Sequence, residues 1–276
     1  MKRVLTIQDI SCVGKCSLTV ALPIISACGI ETAVLPTAVL SAHTAFNKPA
    51  ISRLTGFGKR ACDYFEKEGI AFDAVYTGFL GSVRQIGVVK RILCKIGEGK
   101  LILVDPAMAD NGKLYNGLSV GYVKKMAELC SYADIIVPNL TEACMLSGIP
   151  YKKSDYDEDY IKKILIELCK IGCNIAVLTG VRFGDKVGVY AYDRIKKEFF
   201  SCFSKYYPSE YLGTGDVFAS ALCGAMLLKE NFCEALTIAT EYVSECVAVT
   251  AGDKDAVWYG VEFEKALPYL IEKTRR

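Results

Sequence analysis

Short runs of apolar, often β-branched residues alternate along the chain with longer segments whose apolar residues recur at helical spacing. Short apolar runs are typical of strands buried on both faces of a parallel sheet, and the longer segments are typical of crossover helices. Six runs are predicted as strands, at residues 4–7, 32–35, 74–77, 101–104, 135–137 and 175–178. Five segments between them are predicted as helices, at residues 18–28, 58–68, 85–96, 120–130 and 159–171.

The alternation of strands and helices ends near residue 185. Two runs with period-two alternation, 187–192 and 198–203, flank a polar stretch at 193–197, which predicts an antiparallel hairpin at the edge of the sheet. Helical spacing then predicts helices at 217–228, 233–249 and 262–271. Because alternating strands and helices imply right-handed crossovers, we expect a three-layer α/β/α sandwich whose mainly parallel central sheet carries this antiparallel edge hairpin.

The composition adds a domain count and a class of partner to this picture. No linker, repeat or low-complexity tract interrupts the 276 residues, so one domain is expected over residues 1–276. The chain is 52% hydrophobic, and 33 Lys and Arg against 31 Asp and Glu give a net charge of only +2. This balance provides no strong field for nucleic acid or an anionic membrane, so the expected partner is a small molecule.

The thirteen cysteines are scattered and form no Cys-x-x-Cys pair. Their odd number and the lack of a secretory signal argue against a disulfide framework. His43 is the single histidine, so a Cys/His zinc site would need cysteines from distant segments. We therefore expect reduced thiols that act as small hydrophobic groups, and a cytoplasmic location.

Polar residues follow the predicted strands. They stand at 8–11, 36–37, 77–78, 105–106, 138–139 and 179–180. Any one of them could be a turn former or a helix cap. In open α/β sheets, however, ligands bind at the carboxyl ends of the strands, and six polar ends together favour a binding site there.

The segment Gly213-Thr214-Gly215-Asp216 stands directly before a predicted helix, 217–228, that contains no charged residue. An apolar helix is buried, and its N-terminus presents unpaired amides that suit an anion such as a phosphate. The glycines allow close approach of the backbone to that anion. Asp216 is then either an N-terminal carboxylate favoured by the helix dipole or a general base, and these residues alone leave both open.

Five further segments, in order, resemble the ribokinase-like superfamily and, within it, the pyridoxal/pyridoxamine kinase family. They are Ile7-Gln8-Asp9-Ile10-Ser11, Ser41-Ala42-His43-Thr44, Tyr76-Thr77-Gly78-Phe79, Val104-Asp105-Pro106, and the stretch 133–142. The last is similar to the family signature Ala-Asp-x-x-x-Pro-Asn-x-x-Glu. The resemblance extends from residue 4 to about residue 249 and implies a ribokinase-like fold, ATP-dependent phosphorylation of a small alcohol, and a homodimer.

On the alcohol side, the resemblance implies roles for Ser11, His43, Thr44, Phe79 and Asp216. Ser11 would lie against the pyridine ring, Thr44 would contact the substrate, and His43 would orient the Thr44 loop. Ala42 and Phe79 replace an Asn and a Tyr of the family, so a polar group that would extend over the substrate is lost.

On the nucleotide side, the resemblance implies that ATP is bound by Asp105, Asp110, Tyr115, Asn139, Glu142, Thr179, Gly180, Gly213, Thr214 and Gly215. Asp105 and Glu142 would hold Mg²⁺, largely through water, which suits a cation that dehydrates reluctantly. The alternatives are a first-turn carboxylate for Glu142 and a plain loop for residues 109–115. Residues 203–212 lie where the family closes over adenine, without assigned contacts.

The resemblance leaves a monovalent cation open. Some members of the family carry a Thr near a bound monovalent cation, and this chain has Val137 in that place. The requirement for K⁺ therefore does not follow from the motifs.

The expected reaction is phosphorylation of the 5′-hydroxymethyl group of pyridoxal, pyridoxamine or pyridoxine by MgATP, in vitamin B6 salvage. Asp216 would be the base, and Gly213, Thr214 and Gly215 would hold the developing anion. One alternative is a hydroxymethylpyrimidine kinase acting on a pyrimidine alcohol, although residues 8–14 do not match that family's Gly-Ser-Asp-Ser and Gly-Gly-Ala-Gly segments. The other is an ATP sensor without catalysis, which Asp216 disfavours because pure binding gains nothing from a carboxylate beside a phosphate.

Overall fold

The computed structural model describes residues 1–208 and 211–275, so Ser209, Glu210 and Arg276 lie outside the described residues. The strands are β1 Arg3–Ser11, β2 Glu31–Leu40, β3 Ile51–Arg53, β4 Ala74–Thr77, β5 Leu101–Val104, β6 Ala109–Asp110, β7 Lys113–Leu114, β8 Ile135–Ile136, β9 Ile175–Phe183, β10 Lys186–Asp193 and β11 Glu198–Lys205. The helices are α1 Leu18–Ala27, α2 Thr55–Lys67, α3 Val83–Ile96, α4 Val120–Cys130, α5 Leu140–Ser147, α6 Glu158–Cys169, α7 Thr214–Leu228, α8 Phe232–Gly252 and α9 Phe263–Arg275.

The central sheet of the described chain has nine strands in the order β11-β10-β9-β8-β5-β4-β1-β2-β3. The six strands from β9 to β2 in this order pair in parallel. At one edge β10 and β11 form the antiparallel hairpin that the sequence predicts, and at the other β3 pairs antiparallel with β2. A chain that adds parallel strands on both sides of β1 leaves a crevice at their carboxyl ends.

Helices cover both faces of the sheet. Leu5 and Ile7 of β1 face a core formed with helices α2 to α6, whereas Val4 faces a core formed with α1, α7, α8 and α9. This alternation follows from the two-residue period of side chains along a strand. Helix α7 is buried from Val217 to Ala225, as the charge-free stretch 217–228 predicts. The expected three-layer α/β/α sandwich is confirmed.

Three predicted strand ends are wrong. Residues 8–11 lie inside β1, which continues to Ser11, residues 36–37 lie inside β2, which continues to Leu40, and residues 179–180 lie inside β9, which continues to Phe183. The first two differences arise because a register shift between Gln8 and Ile10 lets β1 and β2 continue side by side. The third arises because a register shift between Gly188 and Tyr190 of β10 lets β9 bend and remain paired.

Within the described residues, we find no helix that is both long enough and apolar enough to cross a membrane.

Candidate active site

The start of α7 is fixed against the loop that follows β1. Gly213, the N-cap residue of α7, has a φ of 79°, which is in the left-handed region that glycine tolerates. A Cβ at this position would lie 2.1 Å from the backbone oxygen of Lys15. Lys15 is itself held by ion pairs of 3.1 Å to Glu262 and 2.8 Å to Glu264. The N-terminus of α7 therefore meets the residues that lead into α1.

Asp216 lies on the first turn of α7, and its side chain is partly buried. Burial raises the pKa of this carboxyl to about 7, the backbone N–H of Ser17 lowers it, and the negative charge of Asp9 raises it. Gly215 beside it is exposed, and a Cβ there would meet nothing within 4 Å. A carboxyl with this pKa exchanges a proton readily near neutral pH, next to helix amides that favour an anion.

Asp9 is a site residue that the sequence analysis did not identify. It is 4% exposed at the end of β1, and its Oδ1 accepts a 2.7 Å hydrogen bond from Ser17 Oγ. Burial raises the pKa of Asp9, opposed by the Ser17 hydroxyl and by the nearby His43. The signal was a carboxylate inside a strand, because such a group is rarely buried without a partner.

His43 anchors the segment that the sequence analysis placed near the alcohol. Its backbone N–H donates to the oxygen of Val13 at 2.8 Å, and its Nδ1 accepts from the N–H of Ala45 at 3.2 Å. Burial lowers the pKa of its imidazole, while the charge of Asp9 raises it. His43 therefore lies beside Asp9, and Thr44 next to it is exposed.

Buried polar atoms without a partner among the described residues surround this region. They are Gln8 Oε1, Ser11 Oγ, Tyr76 OH and Thr77 Oγ1 toward the carboxyl ends of β1 and β4. Buried polar atoms normally form hydrogen bonds, so those at the carboxyl ends could bind a ligand or water. Phe79 follows β4, and its ring centroid lies 6.4 Å from that of Tyr115.

Glu142 and Asn139 form a capping box at the start of α5. Glu142 is 2% exposed, and it accepts hydrogen bonds from the backbone N–H groups of Met108 at 2.8 Å, Ala109 at 3.3 Å and Asn139 at 3.0 Å. Burial nevertheless raises the pKa of Glu142 to about 7. Glu142 therefore makes the contacts of a carboxylate on the first turn of its own helix, as the alternative interpretation predicts. Its role in holding Mg²⁺ stays a prediction.

Asp105 follows β5 and is also buried. Its Oδ1 accepts a 3.0 Å hydrogen bond from the N–H of Ala107. Burial, followed by the negative charges of Glu142 and Asp216, raises its pKa well above the usual range. No Lys or Arg of the described chain forms an ion pair with these three carboxyl groups. The surplus of negative charge suits a divalent cation, because oxygen ligands are the ones that Mg²⁺ prefers.

Residues 109–115 include a hairpin of β6 and β7 and not only a plain loop, and their role over the phosphates stays a prediction. The two turn residues of the hairpin, Asn111 and Gly112, both have positive φ, at 50° and 76°. Asn-Gly is the typical sequence of such a two-residue turn, so the signal was present in the sequence. The N–H of Gly112 donates to Thr141 Oγ1 at 3.0 Å, which places the exposed Asp110 beside α5.

Thr179 and Gly180 lie in β9 next to the start of α5. Thr179 donates its N–H to the oxygen of Pro138 at 2.9 Å and forms a bridge with Asn139. Gly180 has a φ of 69°. The structure therefore brings Asn139, Thr179 and Gly180 together.

A cleft of about 420 Å³ opens beside the start of α7 and was not assigned from the sequence. It is lined by Tyr207, Pro208, Tyr211, Leu212, Thr250, Ala251, Ala256, Val257, Trp258 and Gly260. A Cβ at Gly260 would lie 2.3 Å from the Cβ of Lys15, the residue that also contacts Gly213. Aromatic and small apolar walls of this kind suit a flat heteroaromatic ring.

Comparison with known proteins agrees with this geometry. The family model described as phosphomethylpyrimidine kinase matches residues 31–257, which is most of the chain. The chain belongs to this family. The predicted kinase activity and the resemblance to pyridoxal kinases of the ribokinase-like superfamily are thereby confirmed.

Two solved structures and one curated relative illustrate the likeness. A Bacteroides thetaiotaomicron protein described as a candidate phosphomethylpyrimidine kinase, in a crystal form with pyridoxal, is 35% identical with a TM-score of 0.92, over 98% of this chain and 95% of that one. Pyridoxal kinase from Lactobacillus plantarum is 30% identical with a TM-score of 0.88, over 99% and 97%. The hydroxymethylpyrimidine/phosphomethylpyrimidine kinase of Bacillus subtilis is 29% identical over 67% of both chains.

The structure of this kinase predicts that a Cβ is tolerated at Gly215 but not at Gly213. Gly213→Ala should lower the free energy of unfolding by about 2 kcal/mol, since it adds left-handed strain and a clash with a backbone oxygen. Gly215→Ala is the matched control, because its Cβ enters open space. Urea denaturation of both variants measures the difference, and equal stabilities would contradict the described contact.

Proposed function

We propose that this kinase transfers the γ-phosphoryl group of MgATP to the 5′-hydroxymethyl group of pyridoxal, pyridoxamine or pyridoxine, with Asp216 as general base. The observation that carries the proposal is the position of Asp216, with its pKa of about 7, at the N-terminus of a buried helix. The likeness to the Bacteroides protein crystallised with pyridoxal supports the choice of alcohol.

The base and the anion site lie within one helical turn. A carboxyl with a pKa near the working pH is well suited to accept a proton from an alcohol, because a useful fraction is ionised and the ionised form is still basic. The free amides at the start of α7, from Gly213 to Gly215, would stabilise the charge that develops on the transferring group. The close contact of Gly213 with Lys15 keeps these amides in place.

Asp105 and Glu142 would hold Mg²⁺ near the phosphates. Asp105 has one hydrogen-bonded oxygen, so its carboxylate could accept further bonds from the water shell of a cation. Glu142 already accepts three backbone hydrogen bonds, so its carboxylate could accept fewer bonds from the water shell of the cation than Asp105. When bound, Mg²⁺ offsets negative charge on the phosphates and on these buried carboxylates. A monovalent cation and a homodimer stay predictions.

The cleft beside α7 is the place we propose for the adenine. Tyr207 and Tyr211 come from the segment 203–212, which lies where the resembled family closes over adenine, and Trp258 lines the same cleft. Aromatic side chains bury large areas of a flat ring and orient it. Since the cleft adjoins Gly213 through Lys15, phosphates attached to a base in the cleft would reach the start of α7.

A second candidate is phosphorylation of hydroxymethylpyrimidine. The match to the Bacillus subtilis enzyme and the description of the family model favour it. Both reactions would use the same base and the same helix start, because they differ only in the ring that carries the alcohol. The B6 vitamers remain the first choice, because Ile7-Gln8-Asp9-Ile10-Ser11 resembles the pyridoxal kinase segment.

Asp216→Asn should lower kcat by about 10²- to 10⁴-fold, because the variant has no base, and should leave folding intact. In the wild type, kcat/KM should rise with pH up to about 7 and then level off, since only ionised Asp216 accepts the proton. Asp159→Asn on α6 is the control, as another first-turn carboxylate that is exposed. Steady-state kinetics measured across pH test both expectations. Unchanged turnover of the Asp216→Asn variant would show that Asp216 is not the base.

A turnover assay with ATP and four alcohols tests the substrate. Pyridoxal, pyridoxamine and pyridoxine should be phosphorylated with higher kcat/KM than hydroxymethylpyrimidine. The reverse order would favour the second candidate. Binding of ATP without transfer to any of the four would indicate a sensor.

Trp258 offers a direct test of the nucleotide cleft, since it is the single tryptophan and is 60% exposed. Adding ATP should change its fluorescence and saturate near the KM for ATP, because a ring in the cleft changes the surroundings of the indole. Trp258→Phe should lose the signal while keeping measurable turnover. If the protein is catalytically active but its tryptophan emission does not change when ATP is added, the adenine binds elsewhere.

A further inference from the structure

Ser17 adopts a backbone conformation that residues with a side chain rarely occupy. Its φ is 51° and its ψ is −131°, and it precedes α1 as the N-cap residue. Such a conformation costs free energy and persists only where the surroundings enforce it. The Ser17 hydroxyl does not cap its own helix, as serine usually does, but donates to Asp9 Oδ1 at 2.7 Å.

The bond between Ser17 and Asp9 is well placed to enforce this conformation. Both residues are buried, with exposures of 6% and 4%. A hydrogen bond to a carboxylate away from water is shorter and stronger than one between neutral groups. The start of α1 also favours a negative charge nearby, which helps to keep Asp9 ionised.

The strained residue lies two positions after Lys15, whose backbone oxygen meets the N-cap residue of α7. Its backbone N–H favours the ionised form of the Asp216 carboxyl. We propose that Asp9 and Ser17 are a positioning pair for Asp216. Asp9 holds the Ser17 backbone so that its N–H faces the carboxylate of Asp216, and Asp9 places a second negative charge beside that carboxylate. The proposal rests on the proposed function of Asp216 as the base.

The two members of the pair act on Asp216 in opposite directions. The Ser17 N–H stabilises the ionised carboxylate, whereas the charge of Asp9 favours the protonated form. The balance keeps Asp216 basic enough to take a proton from an alcohol and ionised enough to do so near neutral pH. Removing one member at a time should therefore move the titration of Asp216 in opposite directions.

Other ionisable groups near Asp216 do not replace this pair. Cys16, Tyr76 and Tyr115 face it from the loop after β1, from β4 and from the end of the β6–β7 hairpin, and burial raises the pKa of each, so they stay neutral. Asp105 faces it from the end of β5, and burial raises its pKa well above the usual range. His43 faces Asp9 and acts on Asp216 only through it.

Three variants separate charge from geometry. Asp9→Asn keeps an oxygen that accepts from Ser17 but removes the charge, so the pKa of Asp216 should fall by about 1 pH unit. Ser17→Ala removes the hydroxyl and leaves the strain, so the N–H should turn away and the pKa of Asp216 should rise. Ser17→Gly also lacks the hydroxyl, but glycine adopts a positive φ freely, so its titration and kcat should lie nearer the wild type than those of Ser17→Ala.

The titration is measured by ¹³C NMR of protein labelled at the aspartate carboxyl carbon, with the Asp216→Asn spectrum identifying the Asp216 resonance. This readout needs no turnover. The acidic limb of kcat/KM is measured in parallel. Ser154→Ala is the matched control, because Ser154 Oγ donates to Asp155 Oδ2 at 2.9 Å in an exposed pair away from Asp216.

Opposite shifts of the Asp216 resonance in Asp9→Asn and Ser17→Ala support the positioning pair, whether or not a tested alcohol is phosphorylated. An Asp216 resonance that titrates as in the wild type in both variants would overturn it, even if turnover confirms the proposed function. Resonances that shift as expected in a protein that phosphorylates none of the alcohols would refute the proposed substrate and keep the pair. The two failures are therefore distinguishable.

Discussion

The contact between Gly213 and the backbone oxygen of Lys15 is the constraint on which the site depends. It brings the start of the buried helix α7 against the loop that leads into α1, so that two helix N-termini converge at the carboxyl ends of β1 and β4. Only a residue without a Cβ permits this approach. Because Gly260 contacts Lys15 from the other side, the same residue also fixes the wall of the aromatic cleft. The proposed base, the proposed anion site and the cleft thus share one anchor.

Convergence of these elements concentrates negative charge away from water. Burial raises the pKa of Asp9, Asp105, Glu142 and Asp216, and for the last two it raises the pKa to about 7. A carboxyl whose pKa is higher in the folded than in the unfolded state supports folding only while protonated, so this stabilisation is lost as pH rises through 7. A cation that binds here would recover that free energy, and ATP that carries its own Mg²⁺ would therefore be preferred to ATP alone.

Much of the fold followed from local pattern, because strand and helix periods and a charge-free helix are properties of short segments. The carboxyl ends of β1, β2 and β9 did not, since they depend on register shifts between neighbouring strands. The hairpin at Asn111–Gly112 had a local signal in its turn. The cleft around Trp258 was missed because it exists only where this residue and Tyr211 meet, far apart in the sequence. Asp9 had a signal in its strand, but its bond to Ser17 depends on the path of the loop between them.

The two ends of the proposed pocket differ in the parts of the chain that form them. The proposed phosphate end would consist mainly of backbone, in the amides of α7 and the glycine contact with Lys15, and backbone tolerates changes in sequence. The proposed alcohol end would consist of side chains such as Ser11, His43 and Phe79, which single substitutions alter. A family built in this way can keep one phosphoryl-transfer machinery while its members change the ring that they accept. If the phosphate end is kept while the alcohol end varies, the chain should match kinases of both alcohols. It matches kinases named for pyridoxal and for hydroxymethylpyrimidine.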